Sequence, residues 1–237
     1  MPDLTNVPKK YLKEEGHFVL GSPIKGTYNE SFNRRYYIMQ GFGENLVPFY
    51  KKLGLEGHNG IDYGTSGFQD GKMPCYAAHD GWVISDKSVQ SYTKGIYVEI
   101  MSDEVVIGGK ICKVRTVYFH LAEAIVSSNL KGAKAWFANL FAKSKNRVKR
   151  GQLIGLCGNS GEYTTGPHLH LGFYIYWQQH NGSYQLDWNN GYHGASDPQS
   201  FFYDFNVHEE NGREFYFNGV KLRDWEQAKE FMRLYNH

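Results

Sequence analysis

Gly166-Pro167-His168-Leu169-His170-Leu171-Gly172-Phe173-Tyr174-Ile175 is the stretch on which the reading of this chain turns. Side chains alternate between the two faces of a β-strand. Leu169, Leu171, Phe173 and Ile175 therefore form one apolar face, and His168 and His170 point together to the other. His58-Asn59-Gly60-Ile61-Asp62, about a hundred residues earlier, has the same even spacing, with His58 and Asp62 four apart. On strands, each motif aims two imidazole or carboxylate groups at one point. Two His and one Asp converging, with a fourth position left to water, is the ligand set of a catalytic zinc site. His120, in Val117-Tyr118-Phe119-His120-Leu121, has the same half-apolar strand context. A zinc-dependent hydrolase is the expectation.

Working outward, Gln152-Leu153-Ile154-Gly155-Leu156-Cys157 reads as a short apolar strand closed by Gly158. Gly95 to Ile100 and Val114 to Phe119 are strand-like runs, and Cys75-Tyr76-Ala77-Ala78 leads through the turn His79-Asp80-Gly81 into Trp82-Val83-Ile84. Tyr36 to Met39 is strand-like and precedes a Gly-punctuated turn, Gly41 to Asn45; Leu46 to Leu55 predicts one or two helical turns. Ala133 to Lys143 predicts a helix with Trp136, Phe137, Leu140 and Phe141 on one stripe. It lies in a segment, Lys131 to Arg150, with seven Lys or Arg and no acid. The C-terminal piece reads as strand, the Asn218-Gly219 turn, strand, then a helix opened by the capping box Asp224-Trp225-Glu226-Gln227.

The bulk numbers agree with a β-rich chain. The 237 residues can bury a substantial core, and 18 Tyr, 15 Phe, 5 Trp and 27 Gly suit short strands with tight turns. A net charge of +2 implies no bulk polyanion partner, so nucleic acid is not expected. Cys75, Cys112 and Cys157 are widely spaced and odd in number, which predicts buried free thiols and no disulfide framework. No segment approaches the ~20 apolar residues of a membrane span, and the N-terminus has no signal-peptide run.

Taken in order along the chain, the motifs resemble the lysostaphin-type (LytM-like) zinc metallopeptidases, which cut peptide bonds in bacterial peptidoglycan. The resemblance rests on His58-Asn59-Gly60-Ile61-Asp62-Tyr63-Gly64, Met73 to Val83, Tyr118-Phe119-His120-Leu121, Val148 to Gly155 and Gly158-Asn159-Ser160-Gly161 through His170. It implies a mainly β fold, an antiparallel sheet flooring a narrow groove, to which the residue pattern adds a short helical insertion and a small C-terminal strand-helix appendage. It makes His58, Asp62 and His170 ligands of one zinc ion per chain, and His120 and His168 the two unligated catalytic histidines. The resemblance covers about 57–173; the residue pattern around it gives a lead-in over 1–45 packed on the core, a catalytic unit over 46–202 with an insertion at 127–147, and a hairpin-plus-helix extension over 203–237. The chain departs from the family at Phe42-Gly43-Glu44-Asn45, where the family often carries Arg.

The expectation is thus a zinc endopeptidase acting on the stem or cross-bridge peptides of peptidoglycan. Without a signal of its own it fits a phage-type lysin, released by a holin or carried on a virion. The alternative is a non-catalytic cell-wall-binding or phage tail module that keeps the fold; retention of all three ligands and both histidines favours the enzyme. For His58, Asp62 and His170 the competing reading is a hydrogen-bonded cluster without metal. His79 is placed on a surface turn, and His17, His180, His193, His208 and His237 are expected in solvent. Trp177, Tyr184, Trp188 and Tyr192 either line the groove or pack an extra hairpin.

Overall fold

The computed structural model describes residues 18, 20–24, 38–45, 49–65, 72–91, 93–128, 146–198, 201, 205–208, 214–217 and 220–222. The elements in chain order are β1 (Ile38–Gln40), α1 (Phe49–Lys52), β2 (Ile61–Gly64), β3 (Pro74–Tyr76), β4 (Gly81–Ser91), β5 (Gly95–Ile107) and β6 (Lys110–Ala124). They continue with β7 (Arg147–Val148), β8 (Leu153–Cys157), β9 (His168–Gln178), β10 (Tyr184–Leu186), β11 (Phe205–His208), β12 (Glu214–Phe217) and β13 (Val220–Leu222). The first ten strands form one antiparallel sheet whose main path is β1-β2-β9-β6-β5-β4-β7, with β10 on β9 and β8 bridging β3 and β6.

The core lies on one face of this sheet, and the alternation in β9 explains why. Leu169, Leu171, Phe173 and Ile175 enter the main hydrophobic cluster with Ile61 and Tyr63 of β2 and Val114 and Tyr118 of β6. The other face of β9 carries His168, His170, Gly172, Tyr174 and Tyr176, opposite Phe119, Val117 and Arg115 of β6. This second face is also largely covered, by a smaller cluster containing Val117, Tyr174, Tyr176 and Ala195. Cys75, Cys112 and Cys157 are buried free thiols.

Several expectations need correction. β5 and β6 run well beyond the expected Gly95–Ile100 and Val114–Phe119, meeting at a Gly108-Gly109 turn with both glycines at positive φ, 56° and 75°. The outer part carries exposed Val106 and Ile111, so burial periodicity is lost there while pairing continues. The C-terminal strands form a three-stranded sheet, β11-β12-β13, where a two-stranded hairpin was expected. Phe217 and Val220 pair across Asn218-Gly219 as the expected hairpin, and the added strand is Phe205–His208, which pairs along Glu214–Phe217. The helices expected over Ala133–Lys143 and from Asp224 onward lie outside the described residues. Among the described residues no helix is long and apolar enough to cross a membrane.

Candidate metal centre

β2 and β9 are antiparallel neighbours, with Asp62 directly opposite His170 and Gly64 opposite His168. Cross-strand partners have Cβ atoms ~4.5–5.5 Å apart, so the pairing register itself brings the carboxylate to the imidazole. His58 arrives differently. It precedes β2, in the turn before Ile61, so strand alternation does not orient it. Instead, its backbone is pinned to the Gly43-Glu44 turn: Gly43 N–H donates to His58 O at 2.8 Å, and His58 N–H donates to Glu44 O at 2.9 Å. Glu44, one of the two residues departing from the family pattern, also accepts the Gly41 N–H through its carboxylate at 2.9 Å. Gly60 is required by crowding: a Cβ there would stand 2.6 Å from His170 Cε1 and 2.6 Å from Leu171 O. The clash would be with the His170 ring and backbone rather than with an ion.

His58 Nε2, Asp62 Oδ1 and His170 Nδ1 form a near-equilateral triangle. The separations are 3.0 Å between the two His nitrogens, 3.2 Å from His58 to Asp62 and 3.0 Å from His170 to Asp62. An ion bound tetrahedrally at ~2.0–2.1 Å has ligand atoms about 3.3–3.4 Å apart. The chemistry of the donors fits as well. His58 Nδ1 lies 3.2 Å from Gly41 O and donates its proton there, so a neutral His58 presents a bare Nε2. That leaves one proton, on His170 Nδ1, for two acceptors, whereas a divalent cation satisfies all three atoms. Burial opposes ionisation of Asp62, yet the hydrogen bond from His170 and the adjoining His58 imidazole outweigh it and hold the carboxyl well below its usual range. Burial likewise pushes His170 toward the neutral form that a metal ligand needs. The Phe119 ring stacks on His170 at 5.3 Å and 11°, fixing the imidazole plane.

His168 and His120 stand beside this triangle, their ring centroids 4.7 Å apart. His168 Nδ1 donates to Gly166 O at 2.8 Å, and His120 Nδ1 donates to Ser160 O at 2.8 Å. Both rings therefore keep Nε2 as the free lone pair. Burial, reinforced by His170 and His168, lowers the His120 pKa to about 4. His120 reaches this face by breaking alternation. Phe119 belongs to the groove face, yet Leu121 is in the main core, and between them His120 has φ 63°. Such a left-handed residue in a bulge costs on the order of 1–3 kcal/mol. It turns a side chain due for the core into the groove.

The remaining histidines fall apart as a group. His79 is buried, not on a surface turn: Nδ1 donates to Asp80 O at 2.8 Å and Nε2 meets the Thr116 hydroxyl at 3.0 Å. Tyr118 extends this network, accepting the Ala78 N–H at 2.7 Å. His180 is exposed as expected, whereas His193 is half-buried and stacks on Trp188 at 5.5 Å. His17, His208 and His237 lie outside the residues whose side chains are described. The aromatic extension divides. Tyr184 sits in β10 and hydrogen-bonds Glu104, Trp177 packs on the core, Tyr192 tilts against Phe42 at 4.6 Å, and exposed Trp188 lines the groove.

The groove over these histidines encloses about 490 Å³, within the range of ligand clefts. Residues 56–183 match Peptidase family M23. The chain belongs to peptidase family M23. Two relatives each align with about half of it: the peptidoglycan DD-endopeptidase ShyC of Vibrio cholerae, 33% identical over 125 residues, and an uncharacterized metalloprotease of Haemophilus influenzae, 30% identical over 118. These alignments take in 51% and 50% of this chain but 21% and 18% of those proteins, so the chain spans about a fifth of their length. The catalytic domain of lysostaphin from Staphylococcus simulans is structurally similar, with 23% identity over 70% of this chain and 91% of that one, at a TM-score of 0.42.

Within this M23 chain, the residues that hold the histidines were not evident beforehand. Ser160 is the chief of them. Its carbonyl takes the His120 proton, its Oγ donates to Leu121 O at 2.6 Å, and the Ile96 N–H donates to that Oγ at 2.8 Å. Gly95 (φ 69°) makes room, since a Cβ there would lie 2.3 Å from Ser160 O. Gly41 and Gly166 act through carbonyls, which carry no residue-type signal.

Proposed function

We propose that this chain is a zinc metalloendopeptidase that hydrolyses peptide bonds of bacterial peptidoglycan and acts at the cell wall. The observation that carries the reading is the triangle of His58 Nε2, Asp62 Oδ1 and His170 Nδ1, three potential ligand atoms gathered with edges of 3.0 to 3.2 Å. These three residues would hold the ion. Zinc, when bound, supplies Lewis-acid polarisation of the scissile carbonyl and acidifies water to a pKa of ~7.

The chain's own residues do the rest. His120 and His168, each fixed as the Nδ1–H tautomer by a backbone carbonyl, present Nε2 to the space beside the triangle. One imidazole accepts the proton of the attacking water and returns it to the departing amine; the other hydrogen-bonds the developing oxyanion. His120, with its pKa lowered to about 4, is neutral and proton-accepting near neutral pH. Phe119 stacks on His170, and the three imidazoles of His120, His168 and His170 are buried.

Purified peptidoglycan incubated with the zinc-loaded chain is expected to yield new amino groups while its reducing ends stay constant. Reducing sugar released without amine would overturn the reading. A zinc-loaded protein that releases neither would favour the non-catalytic wall-binding alternative.

A further inference from the structure

The groove does not end at the histidines. Its floor continues along β9 to Tyr174, across to Arg115 on β6 and Glu99 on β5. Tyr174 is four strand residues from His170, about 13 Å at ~3.3 Å per residue. Here the groove is positive. Lys94 Nζ lies 3.1 Å from Glu99 Oε1, and Arg115 Nη1 lies 3.6 Å from Glu99 Oε2. Two cations thus share one carboxylate, and that carboxylate is buried.

Arg115 is held but not saturated. Its guanidinium lies over the Tyr174 ring at 4.2 Å and near the Tyr176 ring at 5.6 Å, and it interacts with the Tyr174 hydroxyl. At 3.6 Å its contact with Glu99 is too long for a hydrogen bond. Its Nε is buried with no hydrogen-bond partner. An orphaned donor is costly, and the side chain keeps 18% exposure where it lines the groove. Lys94 links this region to the metal centre: its ammonium sits 5.1 Å from the Phe119 ring, which itself stacks on His170.

We propose that Arg115 and Lys94 receive a free carboxylate of the peptide substrate, at a distance from the scissile bond, and so select acid-bearing over amidated peptides. The inference rests on the groove being the peptide site. A guanidinium pairs with a carboxylate through two parallel charged hydrogen bonds. A carboxamide offers one neutral acceptor and turns its NH₂ toward a cation. Glu99 does not make this a site for a substrate amine, because both its oxygens already face cations.

The test uses cross-linked peptide dimers released from peptidoglycan, one half of the sample left as free acids and the other converted to carboxamides with carbodiimide and ammonia. Binding is measured calorimetrically on the zinc-loaded full chain carrying His168→Ala, and cleavage on the otherwise identical unsubstituted chain. The acid form should bind about tenfold or more tighter at low salt, and the advantage should shrink as salt rises. Arg115→Gln and, separately, the more exposed Lys94→Gln should bring the two forms to within about twofold. Equal binding of acid and amide, or variants that weaken both alike, would overturn the proposal; the acid–amide comparison stands even if one variant fails to fold. Acid-selective binding without amine release would leave this inference standing and refute the peptidase reading. Equal cleavage of both forms with equal binding would do the reverse.

Discussion

His168 and His170 stand two residues apart on one face of β9, yet their surroundings differ. His170 directs Nδ1 into the three-atom cluster, whereas His168 spends Nδ1 on Gly166 O. His170→Ala should therefore abolish both zinc binding and turnover. His168→Ala should keep about one zinc per chain while turnover falls about 10²-fold, the loss of one proton-handling group. Metal content and turnover measured on the same preparations decide this, and zinc lost from His168→Ala but kept in His170→Ala would reverse the roles. His79 supports a separate prediction about stability. Burial lowers its pKa from 6.5 to about 4 against a smaller opposing pull from Asp80. Between those values the unfolded chain binds more protons than the folded one, so stability falls as pH drops from 6.5 toward 4. The full effect is about 3 kcal/mol. His120, lowered to about 4 as well, adds a slope of the same sign, so denaturant melts at a series of pH values should show the combined slope and His79→Gln should make it shallower; an unchanged slope in the variant would dismiss His79 as a source.

At the scale of elements, the groove wall and the sheet meet through one serine. The Gly158–Gly166 loop rests on the β5 and β6 ends through Ser160, whose Oγ and carbonyl serve Leu121, Ile96 and His120. Ser160→Ala removes the two Oγ bonds and frees the carbonyl that holds the His120 tautomer. Turnover is expected to drop about tenfold with zinc retained, since misplacement of an acid–base group is costly in rate. A variant as active as the unsubstituted chain would show that the loop is held by other means. How far these elements could be read in advance follows from their geometry. β9 was legible because the face carrying Leu169, Leu171, Phe173 and Ile175 lies in the core, so apolar residues recur at every second position. The orientation of His120 was not, because a single left-handed residue reverses the alternation and leaves no mark in residue type. His58 was assigned to the right cluster by motif spacing but for the wrong local reason, since a turn and not a strand carries it.

Across the whole molecule, the His58–Asp62–His170 cluster joins parts of the chain that are far apart in sequence. His58 meets His170 across 112 residues and Asp62 meets it across 108. The closure spans nearly every strand of the large sheet, from the turn before β2 to the start of β9. The chain pays for this closure mostly through the β2–β9 pairing and the core beneath it, which is why local pattern alone could place the motifs but not the groove they floor. Arg115 and Glu99 went unnoticed for the same reason: they become neighbours only through the β5–β6–β9 register. An ion bound to the triangle fastens the seam in the folded state and has no comparable site in the unfolded one. Free zinc at 100 times its dissociation constant should add about 2.7 kcal/mol of stability. For a chain of this size that raises Tm by about 5–10 °C. Thermal melts across buffered free zinc should show the rise in the unsubstituted chain and in His168→Ala, and none in His170→Ala. A rise that survives in His170→Ala would mean that zinc stabilises the fold somewhere other than the His58–Asp62–His170 triangle.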